Sequence, residues 1–233
     1  MVAHIRDDVR ESAPDALTPA FERTLEVIAR LPREAFVDRN ARKLVYFNTP
    51  LQIGQGQTIS SPNIVAVMTA ALDLPPDAEV LDVGTGSGYQ AAVLSPFARR
   101  VSSIEIIDKL ARRAAHRLKH MRYRNIEVRA GDGYAGWPDH APFDGIVVAA
   151  GAARVPQALL DQLKPGGKLV MPIGASTWTE QILLMTKQMD GSVSRCSLGS
   201  AMFVPLTGQG ATGEARFAVF DRSIPTCFSG PIT

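Results

Sequence analysis

Cysteine is nearly absent from this chain of 233 residues: Cys196 and Cys227 are the whole complement, and neither lies in a C-x-x-C pair or near a histidine cluster. The spacing of a structural zinc site or of a redox dithiol is therefore missing, no metal is implied, and the low count suits a reducing compartment. Also missing is any apolar run approaching the ~20 residues that cross a bilayer. The N-terminus, Met1-Val2-Ala3-His4-Ile5-Arg6-Asp7-Asp8, carries acid and lacks an apolar core, so it does not read as a secretory signal. Charge of one sign is not in excess: 25 Lys and Arg stand against 23 Asp and Glu, which gives no strong steering toward nucleic acid. No convincing Ser-His-Asp or Cys-His arrangement is present, and there are no internal repeats. These absences lead to the expectation of a soluble, cytoplasmic chain. A 45% hydrophobic content suits one domain with an elaborated end.

What is present is an alternation of strands and helices. Residues 1–16 are polar with little pattern and read as a loose N-terminal arm. Thr18-Pro19 caps a helix through about Arg30, with Leu25, Val27, Ile28 and Ala29 on its apolar side. Pro32 breaks that pattern. The stretch from Lys43 to Ser61 has few helical features and contains Ile53-Gly54-Gln55-Gly56-Gln57-Thr58-Ile59-Ser60, a loop able to embrace a ligand. From Ser61-Pro62 a helix starts that buries Ile64, Val65, Val67, Met68, Ala71 and Leu72. Core strands are then expected at Glu79–Val83, Arg100–Ile106, Asn125–Arg129, Phe143–Ala149 and Lys168–Ile173. Helices should follow the glycine turn and span Asp108 to about Arg122 and Pro156–Leu163, and Lys164-Pro165-Gly166-Gly167 reads as a turn. Thr179–Met189 and Ser192–Val204 read as two further strands joined at Asp190-Gly191 and paired antiparallel. The fold class is α/β: a doubly wound, mostly parallel, Rossmann-like sheet with antiparallel C-terminal strands and N-terminal helices. One domain over 1–233 is expected, divided into the arm (1–16), N-terminal helices and active-site loop (17–76), cofactor-binding core (77–207) and tail (208–233). The tail is rich in Gly, Pro and Ser around an apolar patch at Phe217–Phe220.

The sharpest signal is Val80-Leu81-Asp82-Val83-Gly84-Thr85-Gly86-Ser87-Gly88-Tyr89-Gln90: a strand, a turn with glycines at alternate positions, and a helix start. Glycine there lets a ligand approach the backbone, and a helix N-terminus offers N–H groups to a polar ligand. The third glycine comes one residue too early for the dinucleotide fingerprint G-x-G-x-x-G. In a doubly wound sheet, ligands sit at the C-terminal strand ends. Glu105, roughly 20 residues past the glycines, is placed to accept from ribose hydroxyls. Asp132-Gly133 offers a carboxylate and a backbone N–H to an adenine edge. Ala149-Ala150-Gly151-Ala152 leaves room for something bulky.

The eleven-residue glycine segment resembles the first motif of class I S-adenosylmethionine-dependent methyltransferases. Its Tyr89-Gln90 ending, together with Gly54-Gln55-Gly56-Gln57-Thr58-Ile59-Ser60, is similar to the protein-L-isoaspartate O-methyltransferases. Further matches are Pro32-Arg33-Glu34-Ala35-Phe36-Val37, Gly131-Asp132-Gly133, Leu163-Lys164-Pro165-Gly166-Gly167 and Phe203-Val204-Pro205-Leu206-Thr207, so the resemblance covers about residues 20–207. It implies S-adenosyl-L-methionine as cofactor and methyl esterification of the α-carboxylate of L-isoaspartyl residues in damaged proteins and peptides, the first step of a cytoplasmic repair. It also implies Ser60 as the active-site hydroxyl with Thr58 as a second donor. Gln57, Ile59, Asp82, Gly84, Thr85, Gly86, Ser87, Gly88, Glu105, Asp132, Gly133 and Thr207 would lie on the cofactor side. Protein substrates, no nucleic acid, no membrane and a monomer complete the expectation. A carboxylate ordinarily titrates near roughly pH 4, so it is already ionised at neutral pH and needs no general base.

The chain departs from the family pattern at Gln52, where the family usually has Pro, and at Ser61, where bacterial members often have Gln. Asp82 replaces a frequent Glu, and the tail beyond Thr207 is unmatched. Loss of the Pro is expected to loosen the loop. Two other readings compete: a class I methyltransferase for a small molecule or nucleic acid, and a non-catalytic cofactor-binding module. Val148-Ala149-Ala150-Gly151 lacks the Asn/Asp-Pro-Pro-Tyr clamp of base amino-group methylators, which argues against the first of these.

Overall fold

The computed structural model describes residues 1–174, 179–211 and 221–229. Its first element corrects the loose arm: Val2–Ser12 is a helix, α1. Ile5 and Val9, one turn apart, are fully buried, and Arg6 binds both carboxylate oxygens of Glu22 at 2.8–3.1 Å. Two buried positions in an eleven-residue, mostly polar segment are too few to show a helical period in the sequence. Helix α2 (Pro19–Arg30) starts as expected, with Thr18 Oγ1 accepting from the Phe21 N–H at 3.2 Å and Pro19 at the first position. After Pro32 the chain makes short 3-10 turns at Arg33–Phe36 and Arg39–Ala41.

The glutamine-rich stretch is a hairpin rather than a loop. Strands β1 (Leu51–Gly54) and β2 (Gln57–Ile59) pair antiparallel, Leu51 against Ile59 and Gln52 against Thr58. Gln55 and Gly56 turn the corner with φ of 57° and 71°, the pair of positive values that a type I′ turn demands. Gln52 is exposed within β1 and the strand forms without the family's proline. Helix α3 (Pro62–Leu72) is buried almost all round and ends at Asp73 in the left-handed region.

The alternating part follows as β3 (Ala78–Val83), α4 (Tyr89–Leu94), β4 (Ala98–Glu105), α5 (Asp108–His120), β5 (Ile126–Ala130), β6 (Phe143–Val148), α6 (Gln157–Asp161), β7 (Leu163–Ile173), β8 (Glu180–Lys187) and β9 (Val193–Ala201). One seven-stranded sheet takes the order β5-β4-β3-β6-β7-β8-β9. Strands β3 to β7 run parallel, and β8 is antiparallel to both neighbours. The link between β7 and β8 is too short for a crossover helix, so the direction must reverse there. Lys164 to Gly167, expected as a turn, lies inside β7, whose register against β6 jumps between Phe143 and Gly145.

Successive strand residues face opposite sides of the sheet, and two cores result. Val80, Val101, Val147 and Val170 pack with α1–α4 on one side. Leu81, Val83, Ile104 and Ile146 pack with Trp137, Phe143 and Leu159 on the other. Cys196 and Cys227 are joined in a disulfide, which weighs against the reducing compartment that their low count suits. Residues 221–229 lie along β9, with Ser197 and Cys227 joined by a backbone bond, and the Ser229 N–H and hydroxyl donate to Asp15. The apolar patch at 217–220 lies outside the described residues.

Candidate active site

The chain order reverses between β3 and β6, and a cleft opens at the C-terminal ends of β3, β4 and β6, where open α/β sheets bind their ligands. It spans about 570 Å³ counting its open mouth. Val83, Gly84, Gly86, Ile104, Glu105, Ile106, Ile107, Gly133, Ala149 and Ala150 line it, together with Val204 to Thr207 and the hairpin residues Gln57 and Thr58.

Gly84 and Gly86 have φ of 92° and 52°, values costly for any residue with a Cβ. A Cβ on Gly86 would press on Ile53 Cδ1 at 3.2 Å, so the turn also seats the hairpin. Four of the five N–H groups of residues 84–88 are already bonded within the protein. Those of Gly84 and Thr85 donate to the Ile104 carbonyl, that of Gly88 to Thr85, and that of Gly86 to Glu105 Oε2 at 2.8 Å. The turn therefore offers close approach and not an anion cradle. Glu105 is buried and lines the cleft; its Oε1 accepts from the Ile107 N–H at 2.9 Å, and each oxygen keeps a further lone pair.

Asp82, Thr85, Ser87 and Gly88, expected on the cofactor side, lie in the frame beneath the cleft and do not line it. Ser103 Oγ donates to Asp82 Oδ2 at 2.7 Å and sits 2.6 Å from Thr85 Oγ1. Burial pushes the Asp82 carboxyl up to about 7 against the hydrogen bond from Ser103, and the charge of Glu105 pushes the same way. Asp82 Oδ1 is buried and has no hydrogen-bond partner among the described residues. The Ser87 carbonyl accepts from Arg117 at 2.7 Å, and Gly88 packs where a Cβ would meet Leu118 at 3.1 Å.

Gly133 lies so close to β3 that a Cβ would fall 2.4 Å from Val83 Cγ1. Asp132 caps the following turn through the Tyr134 N–H at 2.9 Å, and its other oxygen accepts from the Gln209 N–H at 2.7 Å. Its carboxylate is thus tied to the wall that carries Thr207, outside the cleft lining. That wall is zipped to the end of β6 by bonds between Gly151 and both Val204 and Leu206, and Glu180 Oε2 holds the Phe203 N–H at 3.0 Å. Burial raises the Glu180 carboxyl above its ordinary value.

On the hairpin, Ile59 is buried in the core and does not line the cleft, whereas Thr58 does; Ser60 follows the strand, half-buried, and is not among the residues that line the cleft. Capping does not explain Ser60: the residue at the cap position of α3 is Ser61, and it makes no side-chain cap bond. The Ser60 carbonyl accepts from buried Arg33 at 2.6 Å. Of the expected residues, the cleft gathers Gln57, Thr58, Gly84, Gly86, Glu105, Gly133 and Thr207. Sequence reasoning missed Ile106 and Ile107, whose signal was an apolar pair directly after a strand-end acid, and the framing roles of Arg33, which stood only as one residue of a matched segment, and of Glu180, which left no local pattern.

Comparison with known proteins agrees with this geometry. A family profile described as protein-L-isoaspartate(D-aspartate) O-methyltransferase (PCMT) matches residues 18–211. Protein-L-isoaspartate O-methyltransferase 2 of Syntrophobacter fumaroxidans is 50% identical over 209 residues, covering 89% of this chain and 85% of that protein. The protein of the same description from a Polaromonas species is 47% identical over 90% of this chain and its own full length. A solved protein-L-isoaspartate O-methyltransferase superposes with a TM-score of 0.76 at 25% identity over 89% of this chain and 66% of that one. A Plasmodium falciparum structure in complex with S-adenosyl-L-homocysteine superposes at 0.71 over 88% of this chain and 97% of that one; at 22% identity it speaks to the fold alone. By the span of the profile and the identity of these relatives, the chain belongs to the protein-L-isoaspartate O-methyltransferase family.

Proposed function

We propose that this enzyme esterifies the α-carboxylate of L-isoaspartyl residues with a methyl group from S-adenosylmethionine, and that it acts as a monomer on damaged proteins and peptides, with neither nucleic acid nor a membrane as partner. The observation that carries this reading is the meeting of two separate segments in one cleft: the hairpin with Gln57 and Thr58, and the glycine turn with Glu105.

The cleft suits the cofactor. S-Adenosylmethionine has no phosphate, so a turn most of whose N–H groups are already bonded within the protein loses nothing by it. Gly84 and Gly86 admit close approach, Ile104, Ile106, Ala149 and Ala150 offer apolar surface to a nucleoside, and Glu105 supplies the acceptor that ribose hydroxyls need. Asp132 and Gly133 stand at the adenine end, where Gly133 lines the cleft and Asp132 fixes the adjoining wall. Bound cofactor supplies a methyl group on a positively charged sulfur. The chain's own task is positioning. Ser60 and Thr58 donate to the acceptor carboxylate and hold one oxygen toward the methyl. The carboxylate is ionised at neutral pH without help, so alignment and exclusion of water are what the site contributes. The released ester then closes to a succinimide as the next backbone nitrogen expels methanol, and hydrolysis of the ring returns some normal aspartate.

We assign the reaction to the cytoplasm, the family's setting. No helix among the described residues is long and apolar enough to cross a membrane, while the Cys196–Cys227 bond is the one feature that favours an oxidising environment. The test is transfer of label from methyl-labelled S-adenosylmethionine to two peptides that differ only in one aspartyl linkage. A base-labile ester on the isoaspartyl peptide and none on its aspartyl isomer is expected. Folded enzyme that binds cofactor and labels neither peptide contradicts the reading.

A further inference from the structure

Arg33 is the largest fully buried side chain among the described residues, and no carboxylate among them pairs with it. Burying a charge is costly unless something specific is gained, and a leucine or methionine would fill the same volume. What the guanidinium holds is two main-chain carbonyls: Nε donates to Val45 at 3.0 Å and Nη2 to Ser60 at 2.6 Å. Those two residues bracket the β1–β2 hairpin, so one planar fork clasps both ends of the segment that carries Thr58 and Ser60. The guanidinium carbon also lies 4.7 Å from the centre of the Tyr89 ring, and Tyr89 is the first residue of the helix that follows the glycine turn. Tyr89 packs edge-on against Phe36 at 5.2 Å. Arg117, 5.9 Å from the Phe36 ring, donates to the Ser87 carbonyl inside that turn. A continuous row of contacts thus joins the acceptor hairpin to the cofactor turn through Arg33, Tyr89, Phe36 and Arg117.

We infer that Arg33 is a positioning residue for methyl transfer: it fixes the Ser60 backbone against the cofactor turn, so that the Ser60 hydroxyl meets the acceptor carboxylate in register with the methyl group. The inference rests on the assignment of Ser60 as the acceptor-side hydroxyl. A lysine at position 33 keeps the charge and loses the fork, because an ammonium cannot span both carbonyls while stacking on the ring. Arg33 therefore acts through Ser60, and its effect must vanish when the Ser60 hydroxyl is gone.

The experiment is a double-mutant cycle of Arg33→Lys and Ser60→Ala, with kcat measured on an isoaspartyl peptide and cofactor affinity by calorimetry. Arg33→Gln, which keeps a planar donor and drops the charge, is run beside it. In the parent background Arg33→Lys is expected to lower kcat about tenfold, the size of one lost charge-assisted contact, with cofactor Kd held within about twofold. In the Ser60→Ala background the same change is expected to cost less than about twofold. An equal loss in both backgrounds overturns the proposal, as does an unchanged kcat in Arg33→Lys. Cofactor affinity that falls in step with kcat, or loss of folded protein in both position-33 variants, assigns Arg33 to stability alone and also overturns it. A Ser60→Ala enzyme of normal kcat removes the underlying assignment and the proposal with it. Absence of ester with the parent enzyme instead refutes the functional reading itself, so the two failures are told apart.

Discussion

Two carboxylates near the glycine turn have opposite fates. Glu105 stays at the cleft with both oxygens accepting backbone N–H groups, while Asp82 lies in the dry frame behind it. Replacing Glu105 with Gln turns one acceptor oxygen into a donor facing an N–H. Hydrogen bonds to a charged group contribute roughly 1.5–3 kcal/mol, so cofactor Kd should rise about tenfold to hundredfold in a calorimetric titration, and an unchanged Kd would remove Glu105 from the ribose site. Asp82 affects stability through pH. Its folded pKa, about 7, lies above the unfolded value near ~3.9, so the folded protein holds a proton that the unfolded chain has lost between those values. The associated stability is complete below the unfolded pKa and is lost as pH rises toward 7. A shift of that size corresponds to roughly 4 kcal/mol at most. Asp82→Asn should therefore flatten the fall in unfolding free energy between pH 4 and pH 7 in denaturant titrations; an unaltered slope would mean the carboxyl ionises freely in the fold. Glu105 was legible in the sequence because strand-end position and spacing from the glycines are local signals. The burial of Asp82 and the clasp of Arg33 were not, since both depend on partners far away in the chain, Ser103 for one and Ser60 for the other.

Among the elements, the strands of the parallel sheet were readable because burial on both faces leaves nearly continuous apolar runs, as in Phe143–Val148, which only Asp144 interrupts with charge. The antiparallel end was readable from its turn at Asp190-Gly191. Two elements escaped. The β1–β2 hairpin turns on Gln-Gly in place of the usual Asn-Gly, and helix α1 shows two buried residues amid charges. That helix is open to a direct test. Deleting residues 1–12 removes the fully buried Ile5 and Val9 and the Arg6–Glu22 pair. At roughly 1.5–3 kcal/mol per buried aliphatic side chain, unfolding free energy in urea should fall by about 3–6 kcal/mol with a clearly lower midpoint. A loose arm would leave the midpoint where it was.

Over the whole molecule, the sheet order brings the ends of β3, β4 and β6 together at the point where the winding reverses, and the hairpin from earlier in the chain and the 204–207 wall from later close over them. The site is thus assembled from three distant stretches, which is why motifs located it and yet did not show which residues line it and which frame it. The disulfide that ties 221–229 to β9 was invisible in advance, because two cysteines 31 residues apart carry no geometry of their own. In the function proposed above, the molecule divides its work: the turn and Glu105 seat the cofactor, and the hairpin aims the acceptor. Measuring kcat and cofactor Kd side by side for the parent enzyme and Ser60→Ala is the sharpest test of that division. The expected result is a kcat lower by about tenfold to hundredfold, the loss of one hydrogen bond to a carboxylate, with cofactor Kd unchanged. A collapse of cofactor binding, or a kcat equal to the parent's, would contradict it.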